Sequence, residues 1–167
     1  MDWDIRVSGG PKPPELSSLK EFCARANNKI DKLGNISQVR SIGIDEETTG
    51  LILDFIRQGE KIGTFSLPWV MEKEGQTETA SGTNIILSDY YGIPQLIVKL
   101  KQPFLKTFGT IGPQETELDG PPVRDIKVWK PLHFEYWNGL LDEYGKRCSD
   151  DMPVIVEPFK LIFDDMN

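Results

Sequence analysis

The change of periodicity at Gly59 is the sequence feature that most constrains the fold. Apolar side chains recur at helical spacing over residues 51–56, and Asp45 stands where the N-cap of such a helix is expected. Gly59 follows at the position where a helix commonly closes with a left-handed residue. Polar and apolar side chains then alternate over residues 64–67, which predicts a strand. The chain therefore turns from helix to strand within GEKIGTFS, residues 59–66.

This corner also contains the first candidate site. Lys61 and Thr64 lie three residues apart in the turn. An amine beside a hydroxyl supplies a base and a nucleophile, which is the pair that covalent hydrolysis needs. A solvated lysine followed by an ordinary strand threonine explains the same two residues. Both interpretations remain open at this point.

The composition is that of a folded globular protein. Of the 167 residues, 38% are hydrophobic and 27% are charged. No apolar run reaches the roughly 18 residues of a membrane span, and the first residues lack the layout of a secretory signal. Cys23 and Cys148 show no disulfide or metal-binding spacing, so we expect a cytoplasmic protein. The single histidine, His133, argues against most zinc hydrolase sites.

The charge balance favours a small substrate over a long polyanion. The formal net charge is -7, whereas proteins that adhere to nucleic acid do so mainly through lysine and arginine at the phosphates. Lys99, Lys101 and Lys106 are close in sequence and still permit a local basic patch. A small uncharged substrate would be indifferent to the net charge.

The remaining segments predict a short N-terminal region followed by one domain. Residues 1–34 are expected to form an arm and an amphipathic helix, and residues 35–167 to form the domain. The arm is predicted to be loose over residues 1–14, and the helix to span residues 16–33. Further predictions are a strand at 39–44, a flexible flap at 72–82, a hairpin of strands 83–88 and 94–100, a strand reaching 108 and a final strand at 153–163.

The last predicted helix follows an irregular, acidic stretch at residues 112–122. Asp125 is placed to cap this helix. Because Pro131 lacks an amide proton, it is predicted to lie in a first turn or to kink the helix, and the helix is predicted to begin near Lys130. Five to six strands, about three helices and no regular strand–helix alternation predict an α+β fold built on a small β-barrel.

Several segments together resemble the ASCH domain family, a branch of the PUA-like β-barrels, over roughly residues 36–163. Two C-terminal blocks look like the larger bacterial members, namely W-x-x-x-H-F-x-x-W at 129–137 and DMPVIVEPF at 151–159. The other segments that carry the resemblance are Ser41-Ile42-Gly43, GEKIGTFSLPW at 59–69, the hairpin with Asp89, Pro103-Phe104 and ETELD at 115–119. The resemblance implies a PUA-like fold and an association with RNA or nucleosides.

The resemblance implies two alternative activities. One branch of the family is an amidohydrolase that removes the acetyl group from N-acetylated cytidine, using a lysine, a threonine three residues later and a glutamate. These residues fall on Lys61, Thr64 and Glu117 here. Another member is a metal-dependent ribonuclease, for which a divalent ion would be held by the carboxylates of Glu115, Glu117 and Asp119. No cofactor is expected for the first activity.

This sequence departs from the family pattern at two places. Ile62 and Gly63 stand where the family usually has threonine and alanine, and Gly-Pro-Pro at 120–122 is inserted after the acidic run. These departures fit a third possibility, a domain that has lost the catalytic site.

Two assignments of roles are possible for the amidohydrolase. In the first, a neutral Lys61 is the base and a protonated Glu117 donates to the leaving nitrogen. In the second, a charged Lys61 stabilises the oxyanion and Glu117 is the base. In both, Thr64 attacks the acyl carbon.

The candidate substrate-binding residues are aromatic or polar. Tyrosines at a hairpin turn either stack on a base or cover a sheet edge, and tryptophans form core or pocket wall. The apolar neighbours of the histidine favour a structural hydrogen bond. The expected partner is a small nucleoside-like substrate or single-stranded RNA, with no membrane involved. The candidates are Ser66, Trp69, Tyr90, Tyr91 and His133.

Overall fold

The computed structural model describes residues 2–166. This range contains seven strands and five α-helices. The α+β prediction is therefore confirmed, with more elements than the five to six strands and three helices expected. In chain order the elements are β1 (Asp4–Arg6), α1 (Leu16–Lys29), β2 (Ile36–Ser41), α2 (Glu46–Arg57), β3 (Gly63–Ser66), α3 (Pro68–Lys73), β4 (Asn84–Ser88), β5 (Pro94–Leu100), β6 (Phe104–Thr107), α4 (Pro113–Thr116), α5 (Ile126–Asp142) and β7 (Pro153–Asp164).

The described chain divides into two units. Unit 1 contains residues 2–59, 82–100 and 159–166, and unit 2 contains residues 60–81 and 101–158. The strands follow the order β1-β2-β4-β5-β7-β3, and β6 also pairs with β7. Among residues 2–166 no pairing joins the two ends of this order, so the mixed sheet is not closed into a barrel. No helix within that range is both long and apolar enough to cross a bilayer.

Unit 1 combines parallel and antiparallel strands. β2 pairs in parallel with β1 and β4, whereas β5 pairs antiparallel with β4 and with residues 159–164 of β7. α1 buries Leu19, Phe22 and Ala26 against Val39 and Ile86 of the sheet. The segment predicted as a loose arm contains the strand β1, which pairs with β2. With three residues, β1 is too short for its periodicity to be recognised in the sequence. Met1, at the start of that arm, lies outside the described residues.

The bounds of α2 agree with the predicted caps, whereas α1 ends earlier than predicted. Asp45 accepts a hydrogen bond from the Thr48 N–H at 2.7 Å and caps α2, and Gly59 has a φ of 74°, as predicted. α1 ends at Lys29, before the predicted residue 33, because Ile30 has an extended backbone. β2 spans Ile36–Ser41, slightly earlier than the predicted 39–44.

Unit 2 contains a three-stranded antiparallel sheet on which α5 packs. Residues 153–158 of β7 lie between β3 and β6. α5 buries Trp129, Trp137 and Leu141 in a core that includes Val154 and Val156 of β7. This core is the largest apolar contribution of unit 2 and holds α5 against the sheet.

α5 begins earlier than predicted. Asp125 caps it by accepting from the Lys127 N–H at 3.0 Å, as expected, but the first helical residue is Ile126 and Pro131 lies inside the helix. The prediction of a start near Lys130 is wrong. An internal proline costs about 3 kcal/mol, and complete burial of Trp129 in the turn before it offsets that cost.

The acidic stretch before α5 is helical and not extended. α4 occupies Pro113–Thr116, and a 3₁₀ turn follows at Pro121–Val123. Residues 115–119 therefore do not form the extended strand that would place their three acidic side chains on one face. The predicted flap at 72–82 also begins inside α3, which ends at Lys73.

Candidate active site

Lys61 forms a buried ion pair two residues before β3. The residue is 4% exposed, and its Nζ lies 2.8 Å from Oδ1 of Asp119. The Gly120 N–H donates to the same oxygen at 2.9 Å, and Trp129 Nε1–H donates to Oδ2 at 3.1 Å. Asp119 therefore accepts three hydrogen bonds from three different groups.

The environment of Asp119 keeps its carboxylate charged. Burial by itself would raise the pKa of Asp119, but the charge and hydrogen bond of Lys61, together with the Gly120 N–H, outweigh burial. The pKa of Asp119 is consequently lowered from its ordinary value. The Lys61 amine forms its ion pair with this carboxylate.

Backbone contacts hold the two sides of this ion pair together. The Ile62 N–H donates to the Leu118 carbonyl at 2.8 Å. The Arg124 guanidinium donates through Nε to the Asp119 carbonyl at 2.8 Å and through Nη2 to the Glu60 carbonyl. One side chain thus connects the residue before Lys61 to its acidic partner, in the fork geometry that arginine provides.

His133 forms part of the wall around Asp119. Its Nδ1 lies 2.8 Å from the Trp129 carbonyl, and because a carbonyl only accepts, Nδ1 carries the proton. The ring stacks on Trp129 at 3.9 Å, and Nε2 lies 4.0 Å from Oδ2 of Asp119. Burial is the main cause that lowers the pKa of His133. The structural hydrogen bond favoured by its apolar neighbours is present, and contact with substrate stays a prediction.

β3 separates two sets of side chains. Phe65 packs against Trp129 at a ring distance of 4.8 Å and against His133 at 6.1 Å. Because side chains alternate along a strand, Thr64 and Ser66 point to the opposite face of the sheet. Lys61 precedes the strand and is hydrogen-bonded to Asp119, not to Thr64.

A second polar group lies on the Thr64 face. The Ser66 hydroxyl donates to Oε1 of Glu157, which is buried with 2% of its surface exposed. Thr64 stands directly opposite Glu157 in the antiparallel register of β3 and β7. Within residues 2–166 the Thr64 hydroxyl has no hydrogen-bond partner. The site thus contains a carboxylate that the sequence did not indicate as functional.

The structure does not bring together the three carboxylates proposed as metal ligands. Glu115 is buried, accepts from the Gly112 N–H at 2.8 Å and lies 3.8 Å from Lys106. Glu117 is exposed at the end of α4, and Asp119 is bound to Lys61. In the part of the chain that the structure describes, no group of three histidine, cysteine or acidic side chains is arranged to hold a metal ion.

The aromatic candidates occupy separate places. Trp69 lies in α3 of unit 2, half-buried, with Lys146 Nζ 4.9 Å from its ring centroid. Tyr90 and Tyr91 belong to unit 1 and contact each other edge-to-face at 5.7 Å. Tyr91 also donates from its hydroxyl to Glu46 at 2.7 Å. Their predicted contact with a base stays a prediction.

Two polar residues of the site escaped recognition in the sequence. Glu157 carries a signal, since it is the one acid within the apolar run PVIVEPF of the last strand, and a buried acid in such a run needs a polar partner. Arg124 carries none, because nothing in its neighbours distinguishes it from a solvated arginine.

The mixed sheet and its helices define an α+β domain. The family model described as the ASCH domain matches residues 40–163. The chain belongs to the ASCH domain family, and the family recognised in the sequence is confirmed.

Two solved structures share this fold. An ASCH domain from Lactobacillus crispatus JV V101 superposes with a TM-score of 0.78 at 18% identity, over 89% of this chain and 95% of the other. A protein from Enterococcus faecalis V583 superposes with a TM-score of 0.79 at 16% identity, over 89% and 90% of the two chains. The search of curated proteins gave no match.

Proposed function

We propose that this ASCH-domain protein hydrolyses the acyl amide of an N-acylated, cytidine-like nucleoside. The observation that carries the proposal is the buried Lys61–Asp119 ion pair at the same helix-to-strand corner as Thr64, whose hydroxyl has no hydrogen-bond partner among residues 2–166. A fixed cation and a nucleophile are the two groups that acyl transfer needs. The family resemblance supplies the substrate class.

In this proposal Thr64 is the nucleophile and Lys61 is the oxyanion-stabilising cation. The ion pair with Asp119 supports the assignment in which the lysine is charged, and it disfavours a neutral lysine acting as base. Asp119 replaces Glu117 as the carboxylate of the set, because it is the acid that contacts Lys61. Because Lys61 lies in the turn before β3, a productive substrate must place its acyl carbon at Thr64 and its acyl oxygen at the start of the strand, towards that turn.

The alternative functions have weaker support. An RNA-binding surface would use the lysines near residue 100, but Lys106 is within 3.8 Å of Glu115 and partly neutralised by it. A metal-dependent ribonuclease would need the carboxylates of Glu115, Glu117 and Asp119 to converge, and their surroundings differ. Neither alternative has an observation in its favour comparable to the Lys61–Asp119 corner.

The decisive experiment is hydrolysis of N-acetylcytidine by the purified protein, with released cytidine and acetate measured by chromatography. We expect Thr64→Val to lower kcat/KM by about 10³-fold or more, because the nucleophile is removed. We expect Lys61→Met to lower kcat by about 10²–10³-fold, the usual loss when one oxyanion-stabilising group is removed.

Matched variants control for general damage. Thr64→Ser keeps a hydroxyl and should retain part of the activity, and Lys127→Met removes an exposed lysine of α5 and should change nothing. Circular dichroism checks that every variant is folded. Full activity in Lys61→Met or Thr64→Val contradicts the assigned roles. A wild-type protein inactive on N-acylated nucleosides contradicts the proposed function and favours a non-catalytic domain.

A further inference from the structure

The nucleophile of the proposed reaction needs a proton acceptor, and Asp119 is poorly suited to that role. Its two oxygens accept from Lys61, Gly120 and Trp129, and its pKa is lowered. A carboxylate stabilised in this way takes up a proton less readily than an ordinary one.

Glu157 is placed where such an acceptor is required. It stands directly across from Thr64 in the β3–β7 register, and both residues point to the same face of the sheet. Directly opposed residues of antiparallel strands have Cβ atoms about 4.5–5.5 Å apart. A glutamate at that position therefore has its carboxylate within reach of the opposing hydroxyl or of a water between them.

The hydroxyl of Ser66 orients this carboxylate. Ser66 lies two residues after Thr64, on the same face, and donates to Oε1 of Glu157. Glu157 is 2% exposed, so its side chain can adopt few rotamers. The arrangement of nucleophile, base and orienting donor resembles in its logic the triads of acyl-transfer enzymes.

We propose that Glu157 is the general base for Thr64, with Ser66 as its positioning residue. This inference rests on the proposed function and names a catalytic residue for it. Glu157 takes the proton from Oγ1 of Thr64 as the Oγ1–acyl carbon bond forms. The C–N bond then breaks, its electron pair goes to nitrogen, and Glu157 returns the proton to that nitrogen.

The same carboxylate completes the cycle. Glu157 takes a proton from water, and the oxygen of the water attacks the acyl carbon of the ester on Thr64. The bond between the acyl carbon and Oγ1 breaks, and Oγ1 regains the proton from Glu157. The products are the free amine and the carboxylic acid, and no oxidant, reductant or metal enters the balance.

The test measures acylation of Thr64 directly with p-nitrophenyl acetate. The burst of p-nitrophenol gives the acylation rate, and mass spectrometry locates the acetyl group on the peptide that contains Thr64. Glu157→Gln keeps the shape and the hydrogen-bonding capacity of the side chain and should slow acylation by about 10²–10⁴-fold. Glu135→Gln, on an exposed acid of α5, is the matched control and should acylate at the wild-type rate.

Ser66→Ala provides a second variant in case Glu157→Gln does not fold. Without the donated hydrogen bond the carboxylate is no longer held in place, so acylation should slow by about 10-fold or more. Ser66→Thr keeps a hydroxyl at this position and should restore most of the rate, which a loss of packing alone would not explain. A wild-type acylation rate in Ser66→Ala or in Glu157→Gln, or no acetyl group on Thr64 in the wild type, would each overturn the inference.

The experiments test the assignment of the general base and the proposed substrate class independently. If Glu157→Gln hydrolyses N-acetylcytidine as fast as the wild type, the base assignment is wrong and the proposed function stands. If the wild type does not hydrolyse N-acetylcytidine but Thr64 is acylated in a reaction that depends on Glu157, the base assignment stands and the substrate class is wrong.

Discussion

Lys61 and Asp119 are each acceptable in the interior only because the other is present. A buried charge carries a desolvation penalty of several kcal/mol, and a partner with good geometry together with further hydrogen bonds compensates for it. Here the partner is at 2.8 Å, and the Gly120 and Trp129 N–H groups satisfy the rest of the carboxylate. Removing one member therefore leaves the other charged and unpaired.

We expect Asp119→Asn to lower the free energy of unfolding by about 3–5 kcal/mol near neutral pH. The pKa of Asp119 is lower in the folded than in the unfolded state, so its stabilising contribution is complete above the unfolded value of about 3.9. The contribution is lost as the pH falls through the lowered folded value. Urea unfolding followed by tryptophan fluorescence should show a constant difference from wild type above about pH 5 and a shrinking one below about pH 4.

The double variant Lys61→Met/Asp119→Leu tests whether the two charges act as a pair. It should be destabilised by less than the sum of the single variants, because no unpaired charge is left. Glu117→Gln should change the free energy of unfolding by less than about 0.5 kcal/mol, since this acid is exposed. An Asp119→Asn deficit that is unchanged at the lowest pH would contradict the assigned pKa direction.

The sequence placed Lys61 at a helix-to-strand corner but did not indicate which acid pairs with it. Asp45 and Gly59 mark the helix ends by local chemistry, so the position of Lys61 followed from the pattern. The choice between Glu117 and Asp119 depends on the direction of the backbone after α4, which the Glu115 cap on Gly112 helps to set. Spacing alone carries no information on that direction.

At the scale of elements, close approach between β3 and the Leu118 segment explains one departure from the family pattern. A Cβ built on Gly63 would lie 2.9 Å from Cβ of Leu118 and 3.3 Å from the Glu157 carbonyl. Backbone and Cβ atoms yield less readily than the end of a flexible side chain. Glycine at this position therefore fits the contact, where the family usually has alanine.

Gly63→Ala and Gly139→Ala should change stability in opposite directions. The first overpacks the β3 contact and should lower the free energy of unfolding by about 1–3 kcal/mol. The second places a methyl group on an exposed position of α5 with nothing within 4 Å, and should raise it by about 0.5–1 kcal/mol through helix propensity.

Urea unfolding of both glycine variants against wild type is the measurement. Since the chemical change is identical, differences in expression or in the unfolded chain are largely shared by the pair. A Gly63→Ala protein as stable as wild type would show that β3 and the Leu118 segment separate at little cost, and would contradict the packing argument.

Elements that begin with a local capping signal could be predicted from the sequence, whereas elements that depend on tertiary contacts or are very short could not. Capped helix starts were recognised, since Asp45 and Asp125 each accept a backbone N–H as expected. Pro131 misled the prediction for α5, because the sequence does not reveal that burial of Trp129 keeps the turn before the proline helical. β1 and α4 were missed because segments of three and four residues have no readable period.

For the molecule as a whole, the acidic charge balance sets which form of substrate approaches most readily. With a net charge of -7, the protein repels a polyanion on average. This repulsion acts over a Debye length of about 30 Å at 0.01 M salt and about 8 Å at physiological ionic strength. A free nucleoside carries no charge and is not subject to it.

We therefore expect kcat/KM for free N-acetylcytidine to be nearly independent of salt, and kcat/KM for the same base within a short oligonucleotide to rise as salt is added. The reason is that salt screens the repulsion between the acidic protein and the phosphates and leaves the chemical step unchanged. The measurement compares both substrates between low and physiological ionic strength, and the uncharged free nucleoside is the control for effects of salt on folding. The opposite trend, with the oligonucleotide preferred at low salt and released as salt rises, is the signature of lysine–phosphate contacts. That outcome would mean that a local basic surface dominates the net charge, and would make RNA the better candidate for the natural substrate.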